Sequence, residues 1–282
     1  MKKGVVYFNR GNKCVARLIV SLKTLREHFS GEVTVFLEEP HDNFLIESLK
    51  KEFGVNIIYR PNAKISTGTL VHKIEISMET PYDLSVWIDS DTVILDEFDE
   101  LFELAKDYDL VLPHFAGWRS AGGTIRKRIK RYTEFCPDYI QAAIDYGPAI
   151  NTGIYAWKKD SIFFEEWLKL AKWGDGKMFI ADEVACQVLL PRYNCKIADI
   201  RYNVSVLHDP CTKNPAIIHY HGRKHCKEAP KCEIWIDKFK EACEVNLCGI
   251  KDYIKPDKRL RRFMDGKYGR LDKVEQIKKI LG

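Results

Sequence analysis

No run in this 282-residue chain approaches the roughly 18 to 20 consecutive apolar residues that span a bilayer, which excludes an integral helical membrane protein. Internal repeats and low-complexity segments are missing, so solenoids and arrays are excluded. With 12% aromatic residues the chain is not a disordered one. There is no C-x-x-C pair among nine cysteines, although seven of them follow residue 180, so the usual spacing of a structural zinc site is lacking. The amino terminus, MKKGVVYFNR, offers only Gly4–Phe8 as an apolar stretch, shorter than the roughly 7 to 15 residues of a secretory core. The expectation is therefore a cytoplasmic protein with reduced thiols. No G-x-G-x-x-G follows the first strand-like run and no G-x-x-x-x-G-K-[ST] occurs anywhere, which demotes dinucleotide dehydrogenases and P-loop NTPases.

Charge is present but unevenly placed. Residues 251–282 hold eleven Lys and Arg against five acids, a balance of +6, which leaves the first 250 residues at −1 of the total +5. A basic tail of this kind suits an anionic partner: phosphates, a membrane surface or nucleic acid. No nucleic-acid module signature accompanies it, and no nucleic-acid partner is expected.

The first half alternates β-type runs with helix-period segments. Strands are expected at Lys3–Phe8, Val33–Leu37, Val55–Tyr59, Leu84–Ile88 and Leu110–Leu112. Helices are expected where Val15, Leu18, Ile19, Leu22 and Leu25 recur, at Asp42–Phe53, at Thr69–Met78 and near Glu97–Lys106. In the less regular second half Asn151–Trp157 and Ala216–Tyr220 read as strands, and Ser161–Lys172 and Asp182–Leu190 as helices. This order predicts an α/β sheet flanked by helices over residues 1–225 and a helical, basic extension over 226–282. Within the first of these, Trp118, Tyr132, Tyr139 and Tyr146 lie in an irregular stretch, 113–149, where the rings offer a ligand a stacking surface or simply pack.

A doubly wound sheet binds ligands beyond the carboxyl ends of its strands. At one such end, after LSVWI, stands Asp89-Ser90-Asp91. Two carboxylates one residue apart both reach one small volume and need a cation or a proton between them; oxygen ligands suit Mg²⁺ or Mn²⁺. Asp107-Tyr108-Asp109 has the same spacing but enters a strand, and reads as a turn. Downstream, Ile217-Ile218-His219-Tyr220-His221-Gly222 places an imidazole after an apolar strand, and Mn²⁺ accepts imidazole beside carboxylates. Arg223 and Lys224 follow, suited to a diphosphate.

On these residues the chain resembles glycosyltransferases of the GT-A fold, and is most similar to the family 8 pattern of glycogenin and bacterial galactosyltransferases. Asp89-Ser90-Asp91, Asn151-Thr152-Gly153, Asp182-Glu183 and His219-Tyr220-His221-Gly222 appear in that family's order. The resemblance implies a Rossmann-like, mixed but mostly parallel sheet that carries a metal-dependent sugar transfer. The donor it implies is a nucleotide-diphosphate sugar, a UDP-sugar being favoured, and the acceptor a glycan, lipid or glycoprotein. By the same resemblance Asp89, Asp91 and His219 coordinate Mn²⁺ or Mg²⁺ on the diphosphate, with Ser90 and Lys224 beside it. Tyr7 and Asn9 hold the nucleoside, and Lys73 contacts phosphate or donor sugar. Asn151 bonds sugar hydroxyls, while Asp182 or Glu183 acts near the anomeric carbon or on the acceptor hydroxyl. The family's usual Asp-Gln is Asp182-Glu183 here, and its late Lys falls on His225, with Lys224 one position early. A carboxylate in place of the amide is able to act as a base, so retention and inversion both stay open. Two other readings remain: a sugar-nucleotidyltransferase, marked by pyrophosphate release, and a non-catalytic binder of glycans or anionic surfaces on the same fold.

Overall fold

The computed structural model describes residues 1–10, 14–38, 43–61, 69–115, 127–146, 150–178, 180–205, 212–221 and 232–244. The alternation read from the sequence becomes β1 (Lys3–Asn9), α1 (Val15–His28), β2 (Glu32–Leu37), α2 (Asn43–Phe53), β3 (Asn56–Tyr59), α3 (Thr69–Met78) and β4 (Leu84–Ile88). A short β5 (Thr92–Ile94), α4 (Asp99–Leu104) and β6 (Leu110–Pro113) follow. Then come α5 (Pro137–Asp145), β7 (Ile154–Lys158), α6 (Phe163–Gly174), α7 (Ala181–Leu189), β8 (Cys195–Ala198), β9 (Val204–Ser205), β10 (Ile217–His219) and α8 (Cys232–Glu244). Seven strands form a mixed sheet in the order β3-β2-β1-β4-β7-β6-β8, and three more form a small sheet, β5-β10-β9. Strand β7 is antiparallel to both of its neighbours, whereas the β2–β3, β1–β4 and β6–β8 pairs are parallel. That is the mixed, mostly parallel α/β architecture expected.

The chain divides into two compact units that interleave along the sequence. The first comprises Met1–Val6, Asn62–Ile88 and Phe98–Asn203. Every residue of β4 is buried, which is why LSVWI reads as an unbroken apolar run rather than an alternating one. Trp87 on β4 stacks on Tyr155 of β7 with ring centroids 5.7 Å apart, and Trp157, Phe164 and Trp167 close around Tyr155. Gly4 of β1 lies against the Tyr82 ring so tightly that a Cβ there would sit 2.3 Å from ring carbon.

The second unit comprises Tyr7–Pro61, Asp89–Glu97 and Val204–Gly282. Its centre is α1, buried at every position from Val15 to Leu22 and again at Thr24 and Leu25. The apolar spacing accounts for most of that helix, but Arg17, Ser21 and Thr24 are buried too. They recur at i, i+4 and i+7, a single helix stripe. Each bonds a different residue of the segment that starts at Asp91: Arg17 to the Asp91 carboxylate, Ser21 to the Thr92 hydroxyl, and Thr24 Oγ1 to the Ile94 N–H. Helix α8 packs on α1 in this unit, with Lys238 2.9 Å from Glu27. The basic segment 251–282 lies outside the described residues, as do Gly222, Arg223, Lys224 and Trp118.

Candidate functional site

The chain leaves β4 at Ile88 and turns at Asp89, the first residue of the second unit's middle segment. The Thr92 hydroxyl donates to the Asp89 carbonyl at 2.9 Å and closes that turn. Thr92 thereby spends its only proton, so Ser21 Oγ donates to Thr92 Oγ1 (2.7 Å) and accepts from the Tyr7 hydroxyl (2.9 Å). A directed chain, Tyr7 to Ser21 to Thr92 to Asp89, pins the turn from below. Residues 92–94 then pair antiparallel with β10 so that His219 faces Thr92 across the ladder, and the Tyr220 N–H donates to the Asp91 carbonyl at 2.8 Å.

Two segments far apart in sequence are thus laid side by side, and their polar ends meet. His219 Nε2 is 3.3 Å from Asp91 Oδ1 and 3.7 Å from Asp89 Oδ2. One ligand atom from each of the three residues lies within 4.8 Å of the others. His219 and Asp91 are buried, while the Asp89 side chain is about one-third exposed and opens the cluster to solvent. Two hard oxygens and one imidazole at this spacing are a donor set that fits Mn²⁺ or Mg²⁺. Ser90 is buried between the two aspartates. Arg17, which the sequence reading did not single out, holds the other Asp91 oxygen at 3.3 Å.

The first unit carries a second polar cluster. Asp182 and Glu183 occupy the first turn of α7, and Ile180, not Asp182, is the residue before that helix, in a left-handed conformation at φ 54°. A β-branched residue there is strained. Lys73 of α3 is buried and donates to the Thr152 carbonyl (2.7 Å) and hydroxyl (3.0 Å), with Asp182 Oδ2 3.3 Å away. Thr152 in turn donates to the same Asp182 oxygen at 2.8 Å, and Trp167 Nε1 donates to the Asp182 carbonyl. Asp182 Oδ1 is buried and has no hydrogen-bond partner among the described residues.

Asn151 stands ahead of β7 in a turn rather than in the strand. Its Oδ1 accepts from the Gly153 N–H (2.9 Å) and from Asn203 Nδ2 (3.2 Å), which fixes the amide orientation and turns Nδ2 to Glu183 Oε2 at 2.8 Å. Burial, and next the neighbouring Asp182 carboxylate, push the Glu183 carboxyl up to about 8. Glu183 therefore holds its proton well above the pH at which an ordinary carboxyl releases it. Thr152 and Asn203, both part of this cluster, carry no sequence signal beyond their polarity.

Three of the residues expected around the donor are buried. Tyr7 is completely buried, its hydroxyl bonded to Ser21 and its ionisation disfavoured by that burial, and it supports the Asp89 turn. Asn9 is also completely buried, where its carbonyl accepts from the Glu38 N–H. Lys73 directs its ammonium at Thr152 and Asp182, which makes it a support for Asp182. Among the aromatics, Tyr132 packs in the core with its hydroxyl directed at the Leu170 and Ala181 carbonyls, and Tyr139 donates to Glu166.

No protein-family model and no curated protein sequence matches the chain. Its backbone is similar to several solved structures. One is the bifunctional glycosyltransferase WbbM in its apo form, at 13% identity over 91% of this chain and a TM-score of 0.60. The chain spans about half of WbbM, 52% of its length. A second is the galactosyltransferase LgtC in complex with donor and acceptor sugar analogues, at 13% identity over 84% of this chain and 95% of that one, TM-score 0.55. A third is mouse xyloside xylosyltransferase 1, also apo, at 12% identity over 78% of this chain and 97% of that one, TM-score 0.53. At such identity the likeness establishes the fold, which is GT-A.

Proposed function

We propose that the chain is a metal-dependent glycosyltransferase that moves a sugar from a nucleotide-diphosphate sugar, with a UDP-sugar favoured, to a hydroxyl of a glycan, lipid or glycoprotein. One observation carries the reading: two carboxylates and an imidazole converge within 4.8 Å on a fold shared with glycosyltransferases. Asp89, Asp91 and His219 would hold Mn²⁺, or Mg²⁺ in its place. A divalent ion bound there supplies charge neutralisation to a departing nucleoside diphosphate. Ser90 and Lys224, with Arg223, are the proposed neighbours of that diphosphate.

The second cluster would act on the sugar. Lys73 and Thr152 grip one oxygen of Asp182, which leaves Oδ1 as an acceptor for a sugar hydroxyl. Asn151 orients Glu183. A carboxyl that titrates this close to neutral pH serves as a hydrogen-bond donor when protonated and as a base when ionised, so the arrangement accommodates both retention and base-assisted inversion. On charge grounds the 251–282 segment is the proposed contact with an anionic acceptor or lipid surface of a cytoplasmic enzyme. Among the described residues no helix is long and apolar enough to cross a membrane.

A thermal-unfolding screen of UDP- and GDP-sugars with and without Mn²⁺ tests the reading. A donor at a hundredfold excess over its dissociation constant stabilises the protein by about 2.7 kcal/mol. Asp89→Ala is expected to fold and to lose the Mn²⁺-dependent part of that shift and of turnover. Full Mn²⁺-dependent turnover in Asp89→Ala overturns the metal assignment, and the lack of any nucleotide-sugar shift overturns the function.

A further inference from the structure

Arg17 is a charged residue in the stretch of α1 that is buried at every position from Val15 to Leu22, and is only 9% exposed. Its Nη1 lies 3.3 Å from Asp91 Oδ2 and its Nη2 donates to Cys14 Sγ at 3.2 Å. The other oxygen of the same carboxylate, Oδ1, is the one that faces His219 Nε2 at 3.3 Å. Asp91 is therefore divided: one oxygen belongs to a guanidinium, the other to the candidate metal cluster. The Arg17–Asp91 pair is also the first rung of the stripe that continues through Ser21 and Thr24, so the helix fixes it in place.

We propose that Arg17 is a built-in counter-cation that shares Asp91 with the bound metal. It settles which Asp91 oxygen is offered, and it holds down the affinity for a free divalent ion so that tight binding requires the diphosphate as well. The proposal rests on the reading of Asp89, Asp91 and His219 as the metal site.

Charge counting shows what the arginine changes. With a neutral imidazole, the two carboxylates alone carry −2, and a divalent ion brings the group to zero. Including Arg17, which never deprotonates, the empty group carries −1 and the loaded one +1. The loaded site thus keeps a positive charge that an anionic diphosphate satisfies. Losing a partner that merely orients a ligand weakens a metal by roughly 10- to 100-fold. Removing a positive charge that shares a carboxylate with a divalent ion acts in the opposite sense and, in a partly buried cluster, outweighs it. The sign of the effect therefore separates counter-cation from scaffold. By linkage, whatever factor the diphosphate adds to the ion's affinity the ion adds to the diphosphate's.

The experiment measures Mn²⁺ binding by electron paramagnetic resonance of the free ion, with and without UDP, in the full chain and in Arg17→Gln and Arg17→Lys. For Arg17→Gln the expected result is Mn²⁺ binding about tenfold tighter or more without UDP, and a correspondingly smaller enhancement by UDP. Arg17→Lys keeps the charge and stays within about threefold of wild type in both states. Weaker or unchanged Mn²⁺ binding by Arg17→Gln overturns the counter-cation role while leaving the metal site standing. A wild-type chain that binds no Mn²⁺, even with UDP, overturns the metal site and this proposal together. If circular dichroism shows Arg17→Gln unfolded, the other two proteins decide. UDP must then tighten Mn²⁺ about tenfold in wild type and in Arg17→Lys, and an enhancement below about threefold in wild type refutes the proposal.

Discussion

Replacing Glu183 by Gln tests the buried acid without any knowledge of the substrate. The native environment lifts this carboxyl from an ordinary 4.5 to about 8, chiefly through burial and secondarily through Asp182. In the unfolded chain the same group ionises near its ordinary value, so between about pH 4.5 and 8 the native state holds a proton that the unfolded state has released. Raising the pH through that window pulls the protein toward the unfolded state, with a limiting slope of about 1.4 kcal/mol per pH unit. Over the whole window the loss is a few kcal/mol, with about 5 kcal/mol as the upper limit. Glutamine is neutral throughout, is nearly the same shape, and still accepts from Asn151 Nδ2, whose orientation Gly153 and Asn203 enforce. Urea unfolding of both proteins at pH 5, 6, 7 and 8 isolates the contribution, because every other titrating group cancels in the difference. The two proteins should differ by less than about 1 kcal/mol at pH 5, and Glu183→Gln should be the more stable by about 2–4 kcal/mol at pH 8. A difference that stays flat from pH 5 to 8 would show that Glu183 ionises normally, and the assignment of Glu183 as a proton-bearing donor would fall with it.

Three further outcomes follow from the packing. Tyr7→Phe removes the first donor of the chain that ends on the Asp89 carbonyl, and should lower stability by about 1 kcal/mol in chemical denaturation while the nucleotide-sugar affinity stays unchanged. Gly4→Ala drives a methyl group into the Tyr82 ring and should cost about 1–3 kcal/mol; a Gly4→Ala/Tyr82→Leu double variant should regain part of it, which a thermal melt will show. Lys73→Met strips the cation from a buried carboxylate and should destabilise the fold by about 3–5 kcal/mol at pH 7; recovery in Lys73→Met/Asp182→Asn would confirm that the unpaired charge is the cause.

Much of the site was legible because strand ends follow a simple grammar. Leu84–Ile88 and Thr69–Met78 have the boundaries that apolar run and helical spacing predict, so Asp89 necessarily falls where a strand stops. His219 was found the same way, as the polar residue that ends Ile217-Ile218. What escaped is what depends on both faces of an element. Tyr7 sits in a strand near the middle of the larger sheet, where alternation no longer tells a ligand-facing side chain from a core one. Arg17, Ser21 and Thr24 lie off the apolar spacing of their helix, and nothing local shows that their partners lie some seventy residues on. The acceptors of Lys73, from Thr152 and Asp182, are likewise remote in the sequence. The edge strand β8, Cys195–Ala198, is half-exposed and too short to give a period.

The small sheet has a consequence for how firmly the acidic turn and the histidine stay together. Its strands are two or three residues long, too few to hold by ladder bonds alone. An ion gripped by Asp89, Asp91 and His219 would tie off the whole loop of chain that runs from residue 91 to residue 219, as a crosslink does. The entropy that such a closure removes from the unfolded chain grows slowly with loop length, and this loop is nearly half of the chain. The cation would then be a staple for the fold as well as a participant in its chemistry.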